Sequence, residues 1–78
     1  MAHDHDAIDT PTKARRALLA AARASGLTQN KFAESIGVDS GTFSNIVRGR
    51  HTPGLMVALA LERAGVPARA WRVPGRAA

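Results

Sequence analysis

One glycine, Gly37, stands alone between two short runs, residues 29–36 and 40–48, whose apolar positions recur at three- and four-residue steps. That period on both sides means two helices. A glycine at the break supplies the left-handed backbone on which a helix commonly ends. Two short helices joined by a turn of three or four residues containing glycine form a helix-turn-helix. In such a unit Phe32, Ala33, Ile36, Val38, Phe43 and Ile46 share one core, with Ala33 small where the helices cross and Val38 plugging the turn.

Capping signals place the other elements. Thr10-Pro11 opens a first helix, because threonine accepts from free amides and proline is tolerated where the N–H would be unpaired anyway. This helix runs to about Ala24 and stops at Gly26, with Ala14, Ala17, Leu18 and Ala21 as a narrow apolar stripe and Lys13, Arg16 and Arg23 outside it. The second helix follows its cap Thr28 and reaches Ser35; the third starts after Asp39 and stops at Gly49. A fourth starts at Thr52-Pro53 and ends at Gly65, with Leu55, Leu59 and Leu61 among its buried candidates, and Val66-Pro67 opens a last turn reaching Trp71. No stretch sustains the two-residue alternation of a strand. The expected fold is all-α, a compact bundle of four to five short helices around a central helix-turn-helix over residues 10–73. A polar tail, residues 1–9, is expected to be disordered, and residues 74–78 to fray.

A chain of 78 residues holds one small domain, and domains of this size usually need disulfides, a metal, tight helix packing or a partner subunit. Cysteine is absent, and three histidines without cysteine make a poor structural zinc set. His3 and His5 form an H-x-H pair, but the tail offers no third ligand held by a fold, so neither metal nor other cofactor is expected. Self-association is the staple that is left.

Net charge is +5, yet Asp4, Asp6 and Asp9 all lie in the tail; from residue 10 onward, 11 basic minus 3 acidic residues leave +8. Such an excess points to a polyanion, either nucleic acid or an anionic membrane. The longest apolar run, Leu55 to Leu61, is far short of the ~20 residues of a membrane span. The acidic N-terminus lacks the basic and hydrophobic regions of a secretory signal, so a cytoplasmic protein is expected. Stacking platforms for unpaired RNA bases are missing, since Phe32 and Phe43 belong to the core and only Trp71 is left. No nucleophile, base and orienting group come together, because His51 has no carboxylate near it in sequence; an enzyme is not expected.

The segment LTQNKFAESIGVDSGTFSNIVRG resembles the Cro/cI phage-repressor type of helix-turn-helix, also called XRE-like or lambda-repressor-like. The likeness covers the motif fully and extends more loosely from about residue 12 to Leu61, including the proline-containing loop RGRHTPG before the fourth helix. It implies a third helix entering the major groove of double-stranded DNA while the second crosses the backbone. Phe43, Ile46 and Val47 occupy one sector of that helix and leave Gly41, Asn45 and Arg48 opposite, with Thr42 and Ser44 on the flanks. Base reading then falls to Ser40, Gly41, Ser44 and Asn45, the last being strongest because its amide donates and accepts at once against adenine. Backbone contacts fall to Thr28, Gln29, Thr42, Arg48, Arg50 and His51.

Gly41 departs from the family habit of a base-reading side chain at its position. Either the helix sits closer to the groove or more specificity comes from DNA shape and flanking arginines. The resemblance also implies a homodimer paired through residues after the fourth helix, here Val66, Trp71 and Val73; Trp71 has a second reading, as a seal on the monomer core. The expected function is a sequence-specific transcription regulator, most simply a homodimeric repressor of a prokaryotic or phage promoter. The alternative is a protein-interaction module of the same fold, an antitoxin bound to its toxin or a co-regulator docked on RNA polymerase. The basic loop RGRH beside a small polar face favours DNA.

Overall fold

In a computed structural model, which describes residues 8–71, every regular element is helical. The order is α1 Pro11–Ser25, α2 Gln29–Ser35, α3 Ser40–Val47 and α4 Leu55–Leu61, which tightens into a 3₁₀ turn over Glu62–Ala64; a second 3₁₀ turn covers Ala68–Trp71. Helix α2 packs on α3, α1 lies against both and against the last turn, and α4 packs on the last turn as well. The all-helical bundle expected from periodicity is the fold observed.

Local chemistry sets the boundaries. Thr10 is extended and its hydroxyl accepts from the Lys13 N–H at 3.2 Å, with Pro11 at the start of α1. Thr28 does the same for α2, accepting from the Lys31 N–H at 3.2 Å. At the other end of α2, Gly37 has φ 79°, so its N–H reaches the Glu34 carbonyl at 3.0 Å and the Val38 N–H reaches the Ala33 carbonyl at 2.9 Å. Two carbonyls that a helix end leaves orphaned are thereby satisfied, in the six-to-one and five-to-two pattern that turns a chain sharply. Val38 is delivered into the core beside Ala33, and the chain is free to start α3 two residues later.

The core is one cluster in which Leu18 of α1, Phe32 and Ala33 of α2, Phe43 and Ile46 of α3, Leu61 of α4, and Val66 and Trp71 of the last segment meet. Phe32 and Phe43 stand edge to face, centroids 5.9 Å apart at 68°. The stripe of α1 is rotated slightly from its expected phase: Ala14, Leu18 and Ala22 are buried, while Ala17 and Ala21 pack at its margin.

Three expectations are corrected. Helix α4 begins at Leu55 rather than at Thr52-Pro53, because the chain stays extended through Gly54 (φ −74°, ψ 178°); proline permits a helix start without compelling one. Leu55 and Leu59 are exposed, and of the three leucines only Leu61 is buried. The sequence LMVALAL is apolar on every side and so carries no phase; Ala58 and Leu61 take the inner face, where the last turn packs. Packed residues are also found before Thr10, since Ile8 packs against the core and Asp9 pairs with Lys13 at 3.3 Å. Residues 1–7 and 72–78, with the His3–His5 pair and Val73, lie outside the described residues.

Candidate nucleic-acid interface

The polar face of α3 is built from its buried one. Phe43 and Ile46 are fully enclosed, so Ser40, Thr42, Ser44 and Asn45 are left half-buried and Gly41 and Arg48 exposed, the arrangement expected from a helical wheel. At the head of the helix the Asp39 carboxylate accepts from the N–H groups of Gly41 at 3.0 Å and Thr42 at 3.1 Å. This cap crowds position 41. A Cβ on Gly41 would stand 3.1 Å from Asp39 Oδ2, so a side chain there would press on the carboxylate that starts the helix.

At its foot, α3 ends as α2 does. Gly49 has φ 79° and donates to the Ile46 carbonyl at 3.0 Å, while the Arg50 N–H donates to the Asn45 carbonyl at 2.9 Å, with the His51 N–H at 3.4 Å from the same oxygen. The main chain of Asn45 therefore holds the basic loop against the helix whose polar face its side chain shares. Arg48, Arg50 and His51 are all exposed there.

A further cation, absent from the sequence reading, joins them. Arg15 crosses from α1 and lays its guanidinium over Gly49, with Nε and Cζ 3.6 and 3.7 Å from where a Cβ would sit. Its only one-dimensional signal is a place beside the stripe residue Ala14; which helix end it reaches depends on how α1 crosses α3. Among the described residues the ion pair found is Lys13 with Asp9, and no described carboxylate pairs with Arg15, Arg48 or Arg50. Thr28 and Gln29 stand at the head of α2, on the helix packed against α3. The Thr28 oxygen is occupied as a cap, and its hydroxyl proton is left to donate. Val66 is fully enclosed and Trp71 only 4% exposed, so both pack in the core of one chain rather than standing out as a pairing surface.

A family model described as helix-turn-helix matches residues 18–64, more than half of the 78-residue chain. The chain belongs to the Cro/cI, or XRE, helix-turn-helix family. Searches of curated proteins and of solved structures each found no match. As an XRE-family protein it is a DNA-binding regulator of transcription, and the α2–turn–α3 unit lies wholly inside the match. Arg15 and the final turn carrying Trp71 lie outside the matched span. Among the described residues no helix is long and apolar enough to cross a membrane.

Proposed function

We propose that the protein is a homodimeric repressor that recognises a specific duplex operator with α3 in the major groove, and that it acts by occupying a prokaryotic or phage promoter and excluding polymerase. The observation that carries this reading is the cluster of basic side chains, Arg15, Arg48 and Arg50 beside His51, at the end of a helix whose outer face is small and polar. Cations so placed grip phosphates and set the register, while short side chains let the helix approach base edges. Ser40, Ser44 and Asn45 read bases, with Gly41 admitting close approach; Thr28, Gln29, Thr42, Arg48, Arg50 and His51 hold the backbone, joined by Arg15. Occupancy alone accounts for the regulation, and no catalytic step is required.

Two-fold pairing gives an operator with two related half-sites whose centres lie about 34 Å apart. Footprinting on the gene's own upstream DNA finds that site, and titration of variants divides the roles. Asn45→Ala is expected to weaken the operator by about 1 to 3 kcal/mol while leaving random duplex nearly unaffected. Arg50→Ala and Arg15→Ala are expected to weaken both alike, each lowering the slope of log K against log salt by about 0.9. Identical behaviour of the Asn45 and arginine variants on operator and random DNA would sink the division into reading and gripping residues.

A further inference from the structure

From Ile36 to Val47 the only charged side chain is Asp39, and its sign is wrong for a surface that meets phosphates. Its capping role engages half of the carboxylate. Both amide bonds, from Gly41 at 3.0 Å and Thr42 at 3.1 Å, fall on Oδ2, and among the described residues no hydrogen bond or ion pair is found on Oδ1. Asp39 is exposed, and Gly41 beside it carries no side chain to cover it. We propose that Asp39 is a specificity-determining residue: while Oδ2 caps α3, Oδ1 accepts a hydrogen bond from the exocyclic amino group of a cytosine in the major groove. The proposal rests on the operator reading above and supplies the base contact that the bare position 41 withholds.

Geometry fixes where the oxygen is. Two hydrogen bonds to amides of the first turn hold the carboxylate at the head of α3, the end from which a recognition helix of this family reaches base edges. A side chain held in this way has little rotamer freedom left to lose on binding. Chemistry then selects the base. An ionised carboxylate only accepts, so guanine, with O6 and N7, and thymine, with O4, turn acceptors toward it and are repelled. Adenine offers its N6 amino group, but N7 lies beside it and opposes the charge. Cytosine presents its N4 amino group with no acceptor of its own alongside, which suits a carboxylate best. The same charge works against indiscriminate binding, because on random DNA its repulsion by phosphates is not offset by an amino group.

Two substitutions keep the cap and change what stands at Oδ1, since asparagine and serine cap helices about as well as aspartate. In Asp39→Asn the amide oxygen caps and an NH2 donor takes the place of Oδ1; in Asp39→Ser only the capping oxygen is left. Selection of bound duplexes from a randomised pool is expected to return cytosine at one position of each half-site for the wild type. At that position Asp39→Asn is expected to take guanine or thymine and Asp39→Ser to show no preference, with the other positions alike in all three. On the wild-type operator Asp39→Asn is expected to bind about tenfold more weakly, and on random duplex about twofold more tightly, so the two affinities move in opposite directions. If Asp39 only caps, all three proteins select the same bases and the two affinities change in step; that result overturns the contact and leaves the operator reading standing. A wild-type operator whose half-sites need no cytosine on either strand overturns the contact without recourse to any variant. A wild type that selects no sequence at all overturns the operator reading, and this contact with it.

Discussion

Replacing Phe43 by alanine is expected to lower the melting temperature by roughly 15 °C or more and to abolish DNA binding at temperatures where the parent chain still binds. Phe43 is fully enclosed, lies on the inner face of α3 and meets Phe32 edge to face across the α2–α3 contact. Truncating a buried phenylalanine costs about 3 to 5 kcal/mol, the removed transfer energy plus the cavity that the neighbours cannot close. Small domains hold only about 5 to 15 kcal/mol of net stability, and this chain sits at the small end, with no disulfide to constrain its unfolded state. Each kcal/mol is worth about 4 to 8 °C in a domain of this size. The loss should appear together in thermal melts followed by helical circular dichroism and in operator titrations, because the base-reading side chains ride on the helix that Phe43 anchors. Phe43→Leu keeps most of the volume and is expected to fall by much less. A Phe43→Ala chain melting within a few degrees of the parent would mean that α3 is held by something other than this core.

How far the fold could be read in advance depended on whether local chemistry or tertiary geometry set each feature. Helices α2 and α3 were legible because cap, period and glycine agree: Thr28 and Asp39 each accept from amides of the helix that follows, and Gly37 ends the first helix at positive φ. The inner and outer faces of α3 followed from the same period. Helix α4 was not legible in phase, since an apolar residue at every position leaves the choice of buried face to the neighbours, and Leu55 and Leu59 went outward. Arg15 escaped because its reach to Gly49 is a property of the α1–α3 crossing, 34 residues apart in the chain. The bare position at Gly41 was legible as a departure, but its companion was not: only the geometry shows the Asp39 carboxylate 3.1 Å from where a Cβ would stand. Val66 and Trp71 were read as dimer candidates because the resemblance puts pairing after the fourth helix, and apolar residues in a short segment there fit an interface and a core equally well.

Gly37 offers the second large effect, and it separates backbone geometry from packing. Its φ of 79° lies in the left-handed region, where an ordinary L-residue costs about 1 to 2 kcal/mol and a β-branched one is a strong outlier. Packing adds little to this cost, since the nearest atom to a Cβ there is Arg63 Nη1 at 3.4 Å, the tip of a flexible side chain that reaches the Ile36 carbonyl at 3.5 Å across the turn. Gly37→Val is therefore expected to cost about 2 kcal/mol or more. Gly37→Ala should cost about 1 kcal/mol, and Gly37→Asn least of the three, because asparagine tolerates this region and its short polar side chain can bond locally. Operator affinity should fall in the same order, since the turn fixes the angle at which α3 leaves α2. The affinity lost should exceed what the unfolded fraction explains, because a strained turn shifts α3 even in molecules that stay folded. Melting temperature and operator affinity measured on the three variants decide the matter. Equal stability across valine, alanine and asparagine would show that the left-handed backbone is not what Gly37 provides, and a stability loss with unchanged affinity per folded molecule would show that the turn holds the fold without aiming the helix.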